Sequence, residues 1–176
     1  MRFALVMRRA LSRLPALLIV TLLAATPAHA RDSLGIFEGW GAFRDPGAGQ
    51  AGPRCYAIAQ PAVRGRPGAR GFATVGTWPR QRARGQIHLR LSRARGPQSP
   101  VRLSVGERRF TLVAGQMDAW APDPRADAQI IAAMRSAGSM SVETIGADGR
   151  AFADSYALRG AATAIDAAAL GCARLR

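Results

Sequence analysis

Residues Ile87-His88-Leu89-Arg90-Leu91-Ser92 alternate apolar and polar side chains with a period of two. This period is typical of a β-strand with one buried face and one face in water. The alternation predicts that the aliphatic side chains face a core and that His88 and Arg90 face solvent. A half-buried strand with a cationic outer side is therefore the starting point of the predicted fold.

Segments on both sides of this strand are also predicted to be strands. Three earlier segments have strand length and lie next to turn residues, namely 36–43 (IFEGWGAF), 55–60 (CYAIAQ) and 71–78 (GFATVGTW). Gly106-Glu107 predicts a hairpin turn between segments 101–105 and 110–112. Asp148-Gly149 predicts a second hairpin, between segments 140–145 and 151–158.

Two helices are predicted beside these strands. Asp123 can cap the first, which has Pro124 at its first position, and apolar residues follow at helical spacing until Gly138. The second covers residues 161–175, where an apolar stripe includes Cys172. The predicted fold is mainly β, an antiparallel β-sandwich or open barrel of about five to eight short strands with one inserted helix and one C-terminal helix.

The first 30 residues have the three parts of a secretory signal peptide. Arginines in residues 1–14 precede an apolar run over residues 15–26, and Ala28-His29-Ala30 is a small-x-small cleavage site. A transmembrane helix needs about 20 apolar residues, so none is expected in the mature chain. The sequence predicts a signal peptide over residues 1–30, one domain over residues 31–176 and a periplasmic location, with outer-membrane association or secretion as alternatives.

The two cysteines, Cys55 and Cys172, allow one intramolecular disulfide. The alternative is two separate buried thiols. Export favours the disulfide, because thiols in an oxidising compartment tend to be oxidised. The long loop that a bridge between Cys55 and Cys172 would close predicts, by chain entropy, a stabilisation of about 4 to 5 kcal/mol.

The positive charge of the chain is concentrated in one stretch. All 25 basic residues are arginines, against 11 acidic residues, which gives a net charge of +14. No acidic residue lies between Asp45 and Glu107, a stretch that holds eleven of the arginines. Export argues against nucleic acid as the partner. Two interpretations remain: a solvated face, or attraction to anionic lipid, lipopolysaccharide or another envelope partner. The candidate anion-binding face consists of Arg80, Arg82, Arg84 and Arg90.

Candidate catalytic residues are few. After removal of the signal peptide His88 is the one histidine, and no acidic residue is near it in sequence. Asp123 and Asp127 have helical i, i+4 spacing, but a cap and a first-turn residue are the favoured roles. Neither a metal site nor a cofactor site is expected. Trp40, Trp78 and Trp120 would fit either a ligand-stacking platform or core packing, and core packing is favoured.

Five groups of residues stand in order along the predicted mature chain: Trp40, residues 54–61 (RCYAIAQP), residues 110–112 (FTL) with 118–120 (DAW), residues 130–134 (IIAAM), and residues 154–160 (DSYALRG) before a helix with Cys172. Together they resemble the invasion-associated locus B family. The resemblance implies a bacterial periplasmic or outer-membrane-associated protein with a β-rich fold and no agreed biochemical activity. We therefore expect a non-enzymatic binding protein, and the alternative is an envelope hydrolase or an inhibitor of one.

Overall fold

The structure is a computed structural model that describes residues 31–47, 52–62 and 71–174. The predicted signal peptide, residues 1–30, lies outside the described residues. Within the described ranges, two α-helices are present, α1 Pro124–Ser136 and α2 Ala161–Cys172. The strands are β1 Asp32–Phe37, β2 Trp40–Asp45, β3 Arg54–Ala59, β4 Phe72–Trp78, β5 Ala83–Arg90, β6 Val101–Val105, β7 Arg108–Ala114, β8 Asp118–Trp120, β9 Ser139–Ile145 and β10 Ala151–Ala157.

All described strand pairs are antiparallel and form one sheet, in the order β1-β2-β3-β4-β5-β8-β7-β6-β9-β10. The described residues of β1 and β10 do not pair, so the sheet is not closed. The predicted mainly β fold with an inserted helix and a C-terminal helix is confirmed. The sheet has ten strands instead of about five to eight, partly because segment 36–43 contains a turn at Glu38, whose φ of 53° reverses the chain.

The two helices pack side by side against the sheet and contact each other. Helix α2 packs on strands β1 to β4, and α1 packs on β5, β6 and β7. The predicted inward residues Ile87, Leu89 and Leu91 are fully buried in this core. We call the sheet side that carries the helices the inner face and the opposite side the outer face. Among the described residues, no helix has the length and apolar character needed to cross a bilayer.

Two buried carboxylates bind backbone N–H groups on either side of the β5 segment that pairs with β8. The Ile87 N–H donates to Asp127 of α1, and the Ser92 N–H donates to Asp154 of β10, both over 2.8 Å. Strand β8 pairs with β5 only from His88 to Arg90. These aspartates therefore accept hydrogen bonds from N–H groups that the short strand β8 does not pair.

The predicted disulfide between Cys55 and Cys172 is present. It joins β3 to the last residue of α2, and the Cα atoms are 5.7 Å apart. Both cysteines are buried, and α2 packs directly over β3. The covalent link therefore holds the C-terminal helix on the first half of the sheet, and a pair of separate thiols is excluded.

Candidate binding site

The four arginines of the predicted anion-binding face do not share one surface. Arg80, Arg82 and Arg84 line a cavity of about 910 Å³ between strands β4 and β5 and the two helices. Arg90 lies on the outer face, where it donates to Asp118 of β8. The structure thus brings three of the four together and adds Arg135 of α1, which lines the same cavity.

A β-bulge in β5 is the reason for this separation. Gln86 pairs with Gly76 and Ala83 pairs with Trp78, so Arg84 and Gly85 together oppose one residue of β4, Thr77. Gly85 has a φ of +66°, a conformation that glycine adopts without steric strain. An extra residue in one strand moves the preceding side chains to the other face. Arg84 therefore lies on the inner side with Thr77, whereas Arg90 lies on the outer side.

A short turn places the other two arginines at the rim. Residues Pro79–Gln81 form a single 3-10 turn after β4, and the Arg82 N–H donates to the Pro79 carbonyl over 3.1 Å. Arg82 has a φ of 55°, in the left-handed region. This turn folds the chain back over the end of β4, so Arg80 and Arg82 reach the same opening as Arg84.

The floor of the cavity is apolar. It consists of Val75, Ile131, Ile165, Ala168 and the disulfide at Cys172, and two exposed residues, Ala169 and Ala173, also line the cavity. Val75, Ile165, Ala168 and Cys172 are buried members of the core. All four arginines around the opening are exposed, so the site combines an apolar interior with a charged rim.

The rim carries more positive than negative charge. Arg135 makes two hydrogen bonds to the Asp166 carboxylate of α2, over 2.6 and 3.1 Å. The hydrogen bonds from Arg135 hold the pKa of Asp166 below its ordinary value. In the described part of the chain, Arg82 and Arg84 have no acidic partner. Their charges are therefore available to an anion.

Several other arginines of the positive stretch have structural partners. Arg54 forms an ion pair with Asp45 over 2.7 Å, and Arg93 lies 4.6 Å from the Phe152 ring centre. Arg95 donates to four backbone carbonyls, those of Gly96, Ser99, Ala114 and Gly115. The clustering of arginines in sequence thus overstates the charge that faces a ligand.

His88 belongs to a polar network on the outer face. Its Nε2 atom lies 2.9 Å from Oδ1 of Asp118, and the same carboxylate accepts a hydrogen bond from Arg90 over 2.8 Å. The imidazole stacks on Trp120 and contacts the edge of Phe72. Asp118 follows His88 by 30 residues, and its three-residue strand gives little sequence signal, so sequence reasoning did not identify this pair.

Asp123 and Asp127 have separate roles and do not form a carboxylate pair. Asp123 accepts the Ala126 N–H over 2.8 Å, as the predicted helix cap. Asp127 is buried and binds the Ile87 N–H, which the sequence did not indicate. Burial raises the pKa of Asp127 above its ordinary value, against the opposing effect of that hydrogen bond. The described residues contain no cluster of three or more metal-binding side chains.

The three tryptophans are divided between the two faces. Trp40 is fully buried, as favoured by the sequence, and its Nε1–H donates to the Ala157 carbonyl over 2.8 Å. Trp78 and Trp120 are half-buried on the outer face. Core packing therefore accounts for one of the three.

Comparison with known proteins identifies a structural likeness. No known protein family and no curated protein matches the chain by sequence. Among solved structures, the crystal structure of invasion associated protein B from Bartonella henselae matches with a TM-score of 0.52 and 15% identity. The match covers 75% of this chain and 92% of that one. The family resemblance seen in the sequence is thus matched at the level of structure: the chain has the fold of invasion associated protein B.

Proposed function

We propose that this chain is an exported, periplasmic protein of the invasion-associated locus B type that acts by binding an anionic amphiphile, without catalysis. The ligand has an apolar chain and a phosphate or carboxylate headgroup, which is the chemistry of anionic lipids and of the lipid part of lipopolysaccharide. The observation that carries this proposal is the cavity of about 910 Å³ with an apolar floor and an arginine rim.

The dimensions of the cavity suit a ligand of this kind. Small-molecule sites are mostly apolar clefts of about 300–1,000 Å³ with a few polar groups that fix the ligand's orientation. An alkyl chain would pack against Val75, Ile165 and Ala168, which lie at the floor. The headgroup would remain at the opening, near Arg82 and Arg84.

The chemistry of the lining favours binding over catalysis. Its ionisable side chains within the described residues are arginines, and the guanidinium group keeps its proton in proteins and cannot serve as a general base. His88 and Asp118 lie on the outer face and do not line this cavity. Arginine is well suited to phosphate and carboxylate because its N–H groups can bind two oxygens at once.

The envelope location has two supports. The disulfide between Cys55 and Cys172 is compatible with a compartment outside the cytoplasm, where disulfides form and persist. The fold is that of invasion associated protein B. Together with the signal-peptide pattern of residues 1–30, these features favour the periplasm.

Calorimetric titration of the disulfide-bonded chain with monomeric dodecyl phosphate tests the proposal. We expect binding that inorganic phosphate and dodecyl maltoside do not reproduce, because the first lacks the chain and the second lacks the charge. The double variant Arg82→Gln/Arg84→Gln should weaken binding by about tenfold or more, since hydrogen bonds to charged groups are lost. Ala169→Trp should block the cavity, because Ala169 is an exposed residue of its lining.

A matched control separates site chemistry from net charge. The variant Arg102→Gln/Arg109→Gln removes the same charge from two exposed residues on β6 and β7. It should leave the dissociation constant within about twofold, because distant exposed charges are screened by salt. Equal losses in both double variants, or equal binding of dodecyl maltoside, would contradict the proposal.

A further inference from the structure

Helix α2 is apolar on its outward side as well as on the side that packs on the sheet. Asp166 is its one charged residue, and most of its other residues are alanines. Leu170 is 74% exposed, more than any other large apolar side chain of the described residues. A surface helix of a globular protein usually carries polar and charged side chains opposite its buried stripe. The composition of α2 is therefore that of a helix with a covering on both sides.

The outward side of α2 continues into the opening of the cavity. Ala169 and Ala173 are exposed and line the cavity, whereas the neighbouring Leu170 does not line it. Helix α1 packs beside α2 and adds two more exposed alanines, Ala128 and Ala132. We call the surface formed by the exposed residues of the two helices the helical face. Leu170 is its one large aliphatic side chain among the described residues.

Arginines surround the helical face. Six exposed arginines lie on it, at its ends or at the adjoining rim of the cavity: Arg80, Arg82, Arg84, Arg125, Arg135 and Arg174. Two aspartates lie among them, Asp123, which accepts the Ala126 N–H at the start of α1, and Asp166, which Arg135 binds. Six arginines against two aspartates leave a net charge of +4. The apolar surface is therefore bordered by positive charge.

We propose that the helical face docks on an anionic lipid bilayer, with Leu170 inserted among the lipid chains and the arginines at the headgroup phosphates. Peripheral proteins bind membranes through buried apolar surface together with attraction of basic side chains to anionic lipids. Docking in this orientation would place the opening of the cavity against the bilayer, where amphiphiles with anionic headgroups reside. That consequence of docking rests on the proposed function, whereas the docking itself rests on the helical face.

The charge around Leu170 favours a bilayer over the other occupants of an apolar surface. A second copy of this chain would bring two sets of arginines together, and like charges repel each other across an interface. A nucleic acid would bind the arginines but would leave the exposed Leu170 in water. An acidic protein with an apolar patch would match the same features, and vesicles that contain lipid alone exclude it from the measurement.

Co-sedimentation of the disulfide-bonded chain with lipid vesicles tests the proposal. One set consists of equal parts of phosphatidylglycerol and phosphatidylcholine, and the other of phosphatidylcholine alone. We expect binding to the anionic set that is stronger by about tenfold or more, because each arginine near an anionic surface contributes about fivefold. Leu170→Gln should weaken binding to the anionic set by about tenfold, since the apolar insertion is lost. Arg125→Gln/Arg174→Gln should weaken it to a similar extent.

Matched controls separate the helical face from the chain's overall composition. Val113→Gln makes the same kind of change at a 57% exposed residue of β7, which pairs with Trp120 on the outer face. It should leave vesicle binding unchanged. Arg102→Gln/Arg109→Gln removes two charges from β6 and β7 and should weaken vesicle binding by about twofold at most, because salt screens distant charges.

A separate titration keeps docking distinguishable from binding in the cavity. Because Leu170 does not line the cavity, Leu170→Gln should bind dodecyl phosphate as the wild type does. Loss of vesicle binding in Leu170→Gln by a chain that does not bind dodecyl phosphate would overturn the proposed function and support the docking. The docking is overturned if the folded chain does not bind the anionic vesicles, if it binds both vesicle sets equally, or if Leu170→Gln and Val113→Gln lose binding equally.

Discussion

Arg84 and Arg90 lie six residues apart on β5 and have opposite surroundings. At the bulge, Arg84 lies beside the helices and joins Arg80 and Arg82 at the rim of an apolar cavity. After the bulge, Arg90 lies on the outer face, where Asp118 binds it together with His88. Arginines separated by an even number of residues along a strand therefore need not share a face, since one extra residue in the strand exchanges the faces.

The two regions also differ in their electrostatics. Within the described residues, Arg82 and Arg84 have no carboxylate partner, whereas Arg90 is neutralised. The two regions therefore differ in charge, and this difference is the basis of the anion binding proposed for the inner site. Variants that alter one region and spare the other test this division.

Removal of the disulfide should have the largest effect. The double variant Cys55→Ser/Cys172→Ser should lower the free energy of unfolding by about 2 to 5 kcal/mol, the range for native disulfides of small secreted domains. Chemical denaturation of the variant and of the wild type measures this loss. Because Cys172 is part of the cavity floor, dodecyl phosphate binding should weaken as well. A stability equal to that of the wild type would mean that the disulfide contributes nothing.

The contact between α1 and β5 gives the next largest effect. Asp127→Ala leaves the Ile87 N–H without its acceptor and should lower the free energy of unfolding by about 1 to 3 kcal/mol. Asp127→Asn keeps an oxygen acceptor and removes the buried charge, so it should be at least as stable as the wild type near neutral pH. Urea denaturation of the two variants makes the comparison.

The pH dependence of stability follows from the same residue. Burial raises the pKa of Asp127 in the folded chain, so the folded state binds its proton more tightly than the unfolded chain does. This stabilisation is fully present below the unfolded pKa and is lost as the pH rises through the raised folded pKa. Asp127→Asn should remove this part of the pH dependence. If the free energy of unfolding had the same pH dependence in the wild type and in Asp127→Asn, this role of Asp127 would be contradicted.

A substitution at the bulge should have the smallest of these effects on stability. It tests most directly why Arg84 and Arg90 lie on opposite faces. Gly85→Ala places a side chain at a φ of +66°, and its Cβ would lie 3.0 Å from Cδ1 of Ile131. We expect a loss of about 1 to 2 kcal/mol in the free energy of unfolding. Dodecyl phosphate binding should weaken as Arg84 shifts. Gly149→Ala, in a turn with open space around it, is the control for a positive φ alone.

Local patterns in the sequence predicted many of the elements. The alternation from Ile87 to Leu91 predicted which side chains are buried, and the Asp123-Pro124 pair predicted the start of α1. Cysteine count together with the export signal predicted the disulfide. The alternation and the helix cap depend on residues that are neighbours along the chain, and the disulfide prediction depends on the oxidising compartment that the export signal implies. The turn at Glu38 was missed because a non-glycine residue rarely adopts a positive φ.

The candidate sites could be predicted only in part. Arg80, Arg82 and Arg84 were identified by their charge. Arg135 and Asp166 were not, since their pairing depends on contact between two helices that are far apart in sequence. Likewise, Asp118 lies on a three-residue strand that gives little sequence signal.

Hydrophobic periodicity, caps and turn residues specify the mainly β fold with two helices, because each of them acts over a few neighbouring positions. Which arginines meet, in contrast, depends on contacts between residues that are far apart in the sequence. That outcome depends on the bulge at Arg84 and Gly85 and on the packing of α1 beside α2. A bulge is a property of two paired strands, and a single strand carries little trace of it. The charge of the sequence thus identified the candidate arginines. The pairing of β4 with β5 placed Arg84 at the cavity rim and Arg90 on the outer face beside Asp118.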